Sequence, residues 1–235
     1  MRGSGPLGVA VVAVAIIINI SGCSKREGTR PRSSESPAGR ALGTGGAGAN
    51  LSDADFVRDI ALKNMAEVEL SRLALDKASN PGIRFFAQRM IDDHGAATHN
   101  LKSVLSVQPI EWPVQLDDTH RGMADTLAKK QGADFDRDFI KTMVEGHQDL
   151  AAKLESRLDV QSLADWKAAA AGRTDTKALP EPSVALRDVQ VRPNKSENGV
   201  TMKINQWAAT TYPIVQKHLD TARTLETTTK TSPIQ

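Results

Sequence analysis

Ile83, Ala87, Met90, His94, Ala97, Leu101 and Leu105 recur at intervals of three and four residues, the spacing that puts side chains on one face of an α-helix. The same period runs through Phe56, Ile60, Glu67, Leu70 and Ala74. It returns in Phe135, Phe139, Met143, His147, Leu150, Leu154 and Leu158, and again in Ile204, Trp207, Ile214, His218, Ala222 and Leu225. No stretch shows the two-residue alternation of a half-buried strand. One amphipathic helix cannot bury its stripe alone, but four can face a common axis. The chain is therefore expected to be all-α, an antiparallel four-helix bundle. An aromatic content of only 4% agrees, because aromatic side chains favour sheet.

Local signals place the boundaries. Ser52 is a natural N-cap, Asp55 occupies the capping-box position, and Leu51 with Phe56 form a staple pair. The first helix should stop near Ser79. Asn80 then caps a second helix with Pro81 at its first position, ending before Pro109. "PIEWP" reads as a loop, followed by a short helix from Asp118 to Lys130 that Gly132 ends. A third long helix begins near "ADFDRDF" and is expected to run on through "LADWKAAAAG". Residues 172–200, with Pro180, Pro182, Pro193 and Gly199, read as irregular. The last helix spans Met202 to Thr229, with a kink expected at Pro213.

Each stripe is interrupted once by a residue that can bind metal: Glu67, His94, His147 and His218. Their depth follows from counting. Glu67 lies 12 residues before Ser79 and His94 lies 14 after Asn80, or roughly 18 and 21 Å of helix. His147 lies 13 residues after Asp134, and His218 lies 16 after Met202. Between antiparallel helices these depths agree to about one turn, ~5 Å, so all four groups should meet in one layer. One carboxylate and three imidazoles in an apolar core are costly unless they bind one another or an ion. Three nitrogens and an oxygen suit a divalent transition metal such as zinc, copper or iron. Asp93 is either a further ligand or an acceptor that fixes the His94 ring. The competing reading is a metal-free polar network. Asp92, Glu69, His99 and His120 are read as surface residues.

The N-terminus reads as an address. Arg2 precedes an apolar stretch from Leu7 to Ile20, shorter than a spanning helix, and "ISGC" ends at Cys23, the only cysteine. This ending resembles the bacterial lipoprotein box. The resemblance implies cleavage before Cys23, lipid on that residue and a membrane partner. Ser24 stands where inner-membrane retention signals usually have Asp, so the periplasmic face of the outer membrane is expected in a cell with two membranes. Residues 24–50, rich in Ser, Gly, Pro and Arg, read as a disordered tether. Six of the 30 basic residues and two of the 28 acidic ones precede Leu51, leaving 24 against 26 in residues 51–235. The domain is thus not a basic nucleic-acid binder.

"FVRDIALKNMAEVELSRLALDKASNPGIRFFAQRMIDDHGAATHNL", "FDRDFIKTMVEGHQDL" and "YPIVQKHLDTARTL" resemble the DUF4142 family of exported bacterial proteins, grouped with ferritin-like four-helix folds and without known function. The resemblance covers residues 53–161 and about 201–226. It maps the family's motif positions onto Glu67, Asp93, His94, His147 and His218. Residues 162–200 read as an insertion, a candidate contact for an envelope protein partner. No Glu has a His three residues later, so the di-iron motif of ferritin-like proteins is missing. There is no phosphate-binding glycine loop, nucleophile elbow or Cys–His pair, and the reading favours a non-catalytic protein. The expectation is an envelope lipoprotein with a metal-binding bundle; the alternative is a structural module with a metal-free polar layer. Weakest of the three is a metal-dependent oxidase.

Overall fold

The computed structural model describes residues 51–108, 110–171 and 189–231, all within one unit, Gly45–Gln235. The signal, the tether, Cys23, Pro109 and residues 172–188 lie outside the described residues. Among the described residues six helices follow in order: α1 (Asp53–Lys77), α2 (Pro81–Val104), α3 (Asp118–Ala128), α4 (Gly132–Glu155), α5 (Val160–Ala171) and α6 (Gly199–Thr231). None of them is long and apolar enough to cross a membrane.

The caps act where the sequence puts them. The Ser52 hydroxyl accepts from the Asp55 N–H, and the Asn80 side chain accepts from the Gly82 N–H at 2.8 Å with Pro81 opening α2. These bonds satisfy donors that a helix start leaves without partners. Leu51 stays exposed. Gly132 does not end α3 but opens α4, with φ at +58°, a left-handed conformation that suits glycine.

Four helices form the bundle. α1 packs on α2 and α4, and α6 packs on α4 and α2. Tie points fix the directions. At one end Arg157, just past α4, reaches Asp53 at the start of α1, and Thr201 at the start of α6 bonds the same carboxylate at 2.6 Å. The Trp207 indole N–H donates to Ala97 O, bringing the start of α6 to the far part of α2. Helices that pack on one another therefore run antiparallel, as expected, whereas α2 and α4 share a direction, so that in chain order the four run up, down, down, up. α3 lies against α1 and α4.

Two expectations fail for reasons of tertiary contact. The third long helix does not run on. It stops at Glu155, where Leu158 pairs with Pro193 and the Asp159 N–H donates to Arg192 O at 2.8 Å. Asp159 then accepts from the Ser162 N–H and restarts the chain as α5. Trp166 of α5 and Val191 enter the bundle's own core, so these parts of the insertion are packed inward. Ile214 is 47% exposed rather than buried, because the inward arc of α6 is carried by Ile204, Ala208, Thr211, Val215 and Ala222.

The core is divided. One apolar cluster holds Phe56, Ile60, Leu101, Leu150, Leu154, Trp207 and Tyr212. The other holds Leu70, Ile83, Met90, Phe139, Met143, Leu219 and Ala222. Between them lie Asn64 and Glu67 on α1, His94 on α2, His147 on α4 and His218 on α6, all buried.

Candidate metal centre

His147 meets His94 and His218 edge to face, and His94 and His218 are tilted by 37°. Ring centroids are 5.3 Å apart for His94 and His147, and 5.5 Å for each other pair. One nitrogen from each ring lies within 4.8 Å of the others. Bundle periodicity explains the meeting: each histidine is flanked at three or four residues by core side chains, such as Met143 and Leu150 around His147, and so must point inward.

Each ring has one nitrogen engaged. His147 Nδ1 donates to the Met143 carbonyl at 2.8 Å. The Nε2–H of His218 donates to Asp93 Oδ2 at 2.8 Å. His94 Nδ1 lies 3.0 Å from Asn64 Oδ1, and the Asn64 amide nitrogen donates to the Thr98 hydroxyl, which leaves the Asn64 oxygen to accept from the ring. These partners accept, so they fix the protons. The opposite nitrogens, His94 Nε2, His147 Nε2 and His218 Nδ1, are buried without a hydrogen-bond partner. Each ring thus has one nitrogen held and one left for a ligand. Outer acceptors that hold a ligand histidine's other nitrogen are how proteins orient imidazoles for metal.

Electrostatics keeps His94 and His218 neutral. Burial, with further contributions from the neighbouring rings, pushes His94 down to about 4 despite the opposing pull of Glu67. Burial also pushes His218 down to about 3, helped by His147 and by the Arg89 and Lys217 charges. Only a neutral imidazole can ligate.

The carboxyl groups stand behind the rings. Glu67 Oε2 is 3.0 Å from His94 Nδ1 without an aligned hydrogen bond, and Oε1 is 3.4 Å from His147 Nδ1. The expected fourth ligand therefore faces the engaged sides of two rings. Among the described residues the cluster able to surround an ion consists of the three histidines, with Glu67 beside them. Asp93 likewise meets the engaged nitrogen of His218, not of the adjacent His94, and also pairs with Arg89 at 3.2 Å. Gly146 makes room for Glu67, since a Cβ there would lie 3.0 Å from Oε1.

Three nitrogens within 4.8 Å fit one small ion. A tetrahedral centre with bonds of about 2.0–2.1 Å spaces its nitrogens roughly 3.4 Å apart, so a modest inward turn of the rings closes the set. Asp92 is exposed and accepts from Gln88, Glu69 pairs with Arg72, and His99 is exposed, all as expected. His120 is instead largely covered, with Nδ1 2.7 Å from the α3 cap Asp117. Asn64 was not anticipated. It lies on the α1 stripe, four residues after Ile60 and three before Glu67, and that placement is the signal that marks it as inward.

A family model described as "Domain of unknown function (DUF4142)" matches residues 40–177. His94 and His147 fall inside the match, whereas His218 and the similarity over 201–226 lie beyond it. No curated protein and no solved structure matches the chain.

Proposed function

The chain belongs to the DUF4142 family, and from that premise we propose that it is a lipid-anchored envelope protein whose bundle binds one divalent transition metal ion, zinc, copper or iron. His94, His147 and His218 are the ligands. Glu67, Asp93 and Asn64 orient the rings, and the two carboxyl groups offset the charge that the ion brings. Three imidazoles leave one position for water or an exogenous ligand. The protein handles or buffers metal rather than catalysing a reaction.

The observation that carries this reading is the match between fixed protons and free lone pairs. Each of the three rings keeps one buried nitrogen without a partner while its other nitrogen is held, and the rings converge until one nitrogen from each lies within 4.8 Å of the others. A network evolved only to satisfy itself would pair those nitrogens, because an orphaned buried polar atom costs about 1–3 kcal/mol. The test is elemental analysis by inductively coupled plasma mass spectrometry. The full chain, purified in detergent and stripped with chelator, should take up one equivalent of zinc, copper or iron. Protein that stays metal-free after all three additions overturns the proposal.

Anchoring is proposed through Cys23, with residues 24–50 as the tether and the periplasmic face of the outer membrane as the site in a two-membrane cell. Two or more acyl chains give stable attachment. The Cys23→Ser chain should move from the detergent phase to the aqueous phase in a detergent partition; unchanged partition counts against lipidation. An envelope protein partner for the insertion at 162–200 is a narrower proposal, since Trp166 and Val191 are already spent on the core.

A further inference from the structure

We infer that metal ions enter and leave the three-histidine layer through a cavity between α1, α2 and the segment 112–116, with the Asn64–Thr98 hydrogen bond as its inner latch. The inference rests on the reading of the layer as a metal centre.

The rings are 0–3% exposed, so an ion needs a path through the packing. A cavity of about 630 Å³ borders His94 and neither of the other two rings. Asn64, His94, Gly95 and Thr98 line it; of these, His94 and Asn64 are buried and Gly95 is exposed. The rim carries both signs of charge, so passage is governed by width and by the donor atoms at the inner wall. Those atoms suit a dication shedding water. The Asn64 and Thr98 oxygens and the His94 ring are successive oxygen and nitrogen donors, whereas the layer is closed off above and below by the two apolar clusters.

Two features make the route specific. Asn64 donates to Thr98 at 3.0 Å and holds His94 Nδ1 at 3.0 Å. Its amide therefore closes the wall and orients the ligand at once. Breaking the Thr98 bond frees Asn64 to swing and His94 to turn toward the cavity. Gly95, one residue beyond His94, leaves the passage wide: a Cβ built on it meets nothing within 4 Å. A larger side chain has room there and would fill the passage without touching a ligand.

The experiment uses the full chain in detergent and cobalt(II) as a spectroscopic probe, with uptake followed by its visible absorption and release driven by excess chelator. Gly95→Trp should slow uptake and release alike, by about tenfold, since a narrowed path raises one barrier seen from both sides. Affinity should stay within about twofold and Gly95→Ala should match the wild type. Thr98→Val, close to Thr in shape, should speed release several-fold. Wild-type rates in Gly95→Trp overturn the route. If circular dichroism shows that variant unfolded, Gly95→Leu gives the same comparison, and wild-type rates there overturn it equally. A wild-type chain that takes up no cobalt, zinc, copper or iron defeats the metal-centre reading itself, a result distinct from unchanged rates in a chain that binds.

Discussion

Two buried carboxyl groups, in different parts of the molecule, are treated in opposite ways. Asp136, 4% exposed at the α1–α2 corner, accepts from the Ser79 N–H, the Ser79 hydroxyl and the Asn80 N–H. Glu67, 5% exposed at mid-bundle, has an oxygen with no hydrogen bond and sits among three rings that each keep a bare nitrogen. Burial is equal, and satisfaction is not. A satisfied buried carboxylate fixes a chain turn. A layer of orphans spends stability that only a ligand can return.

Removing the satisfied group should do the most damage. Asp136→Ala strands two backbone donors and should cost about 3–5 kcal/mol in urea unfolding, with cobalt(II) affinity unchanged. His147→Leu should invert that pattern. The metal-free protein should unfold no earlier than wild type, since an apolar side chain replaces an orphaned one. Zinc at 100 times the wild-type dissociation constant should stabilise wild type by about 2.7 kcal/mol and this variant not at all, as read by thermal melts with and without zinc.

Asp93→Asn loses the acceptor for His218 and should weaken metal binding by about 10–100-fold, measured by chelator competition. The pH profile separates the regions as well. His94 and His218 are held below their ordinary value, so the unfolded chain binds more protons than the folded chain below about pH 6.5. Their contribution is fully present above that pH and is lost as pH falls toward 4 and then 3. Replacing both with Leu should flatten that limb of the stability curve. Finest is a pair of glycines. Gly95→Ala meets nothing and should gain up to about 1 kcal/mol from helix propensity. Gly146→Ala crowds Glu67 Oε1, and overpacking of about 1–3 kcal/mol should cancel or reverse that gain. Equal melting shifts for the two would remove Gly146 from the description of the layer.

Much of this was legible beforehand where the determinants are local. Ser52, Asn80 and Pro81 act within one turn of chain, and the four stripes obey a period that any helix must. Counting residues from the turns brought Glu67, His94, His147 and His218 to one depth because helix rise is nearly invariant. What escaped depends on contacts between distant residues. Asp136 reads as one more surface charge in "ADFDRDF" until Ser79 arrives from 57 residues away. The end of α4 rests on Arg192, Pro193 and Asn194 pairing with residues 157–159. That Glu67 lies beside Nδ1 of His94 and of His147, the nitrogens that Asn64 and Met143 engage, is a matter of side-chain orientation, on which periodicity is silent.

The hydrogen bond between His218 and Asp93 spans 125 residues of chain. Contacts of such separation close late, because the intervening loop must first surrender its entropy. The third lone pair therefore arrives only when α6 docks. A chain still being made, with residues 199–231 not yet in place, presents two imidazoles and no cage. Ion capture would then mark completion of the fold, and bound metal would act as a clasp on the last helix to arrive.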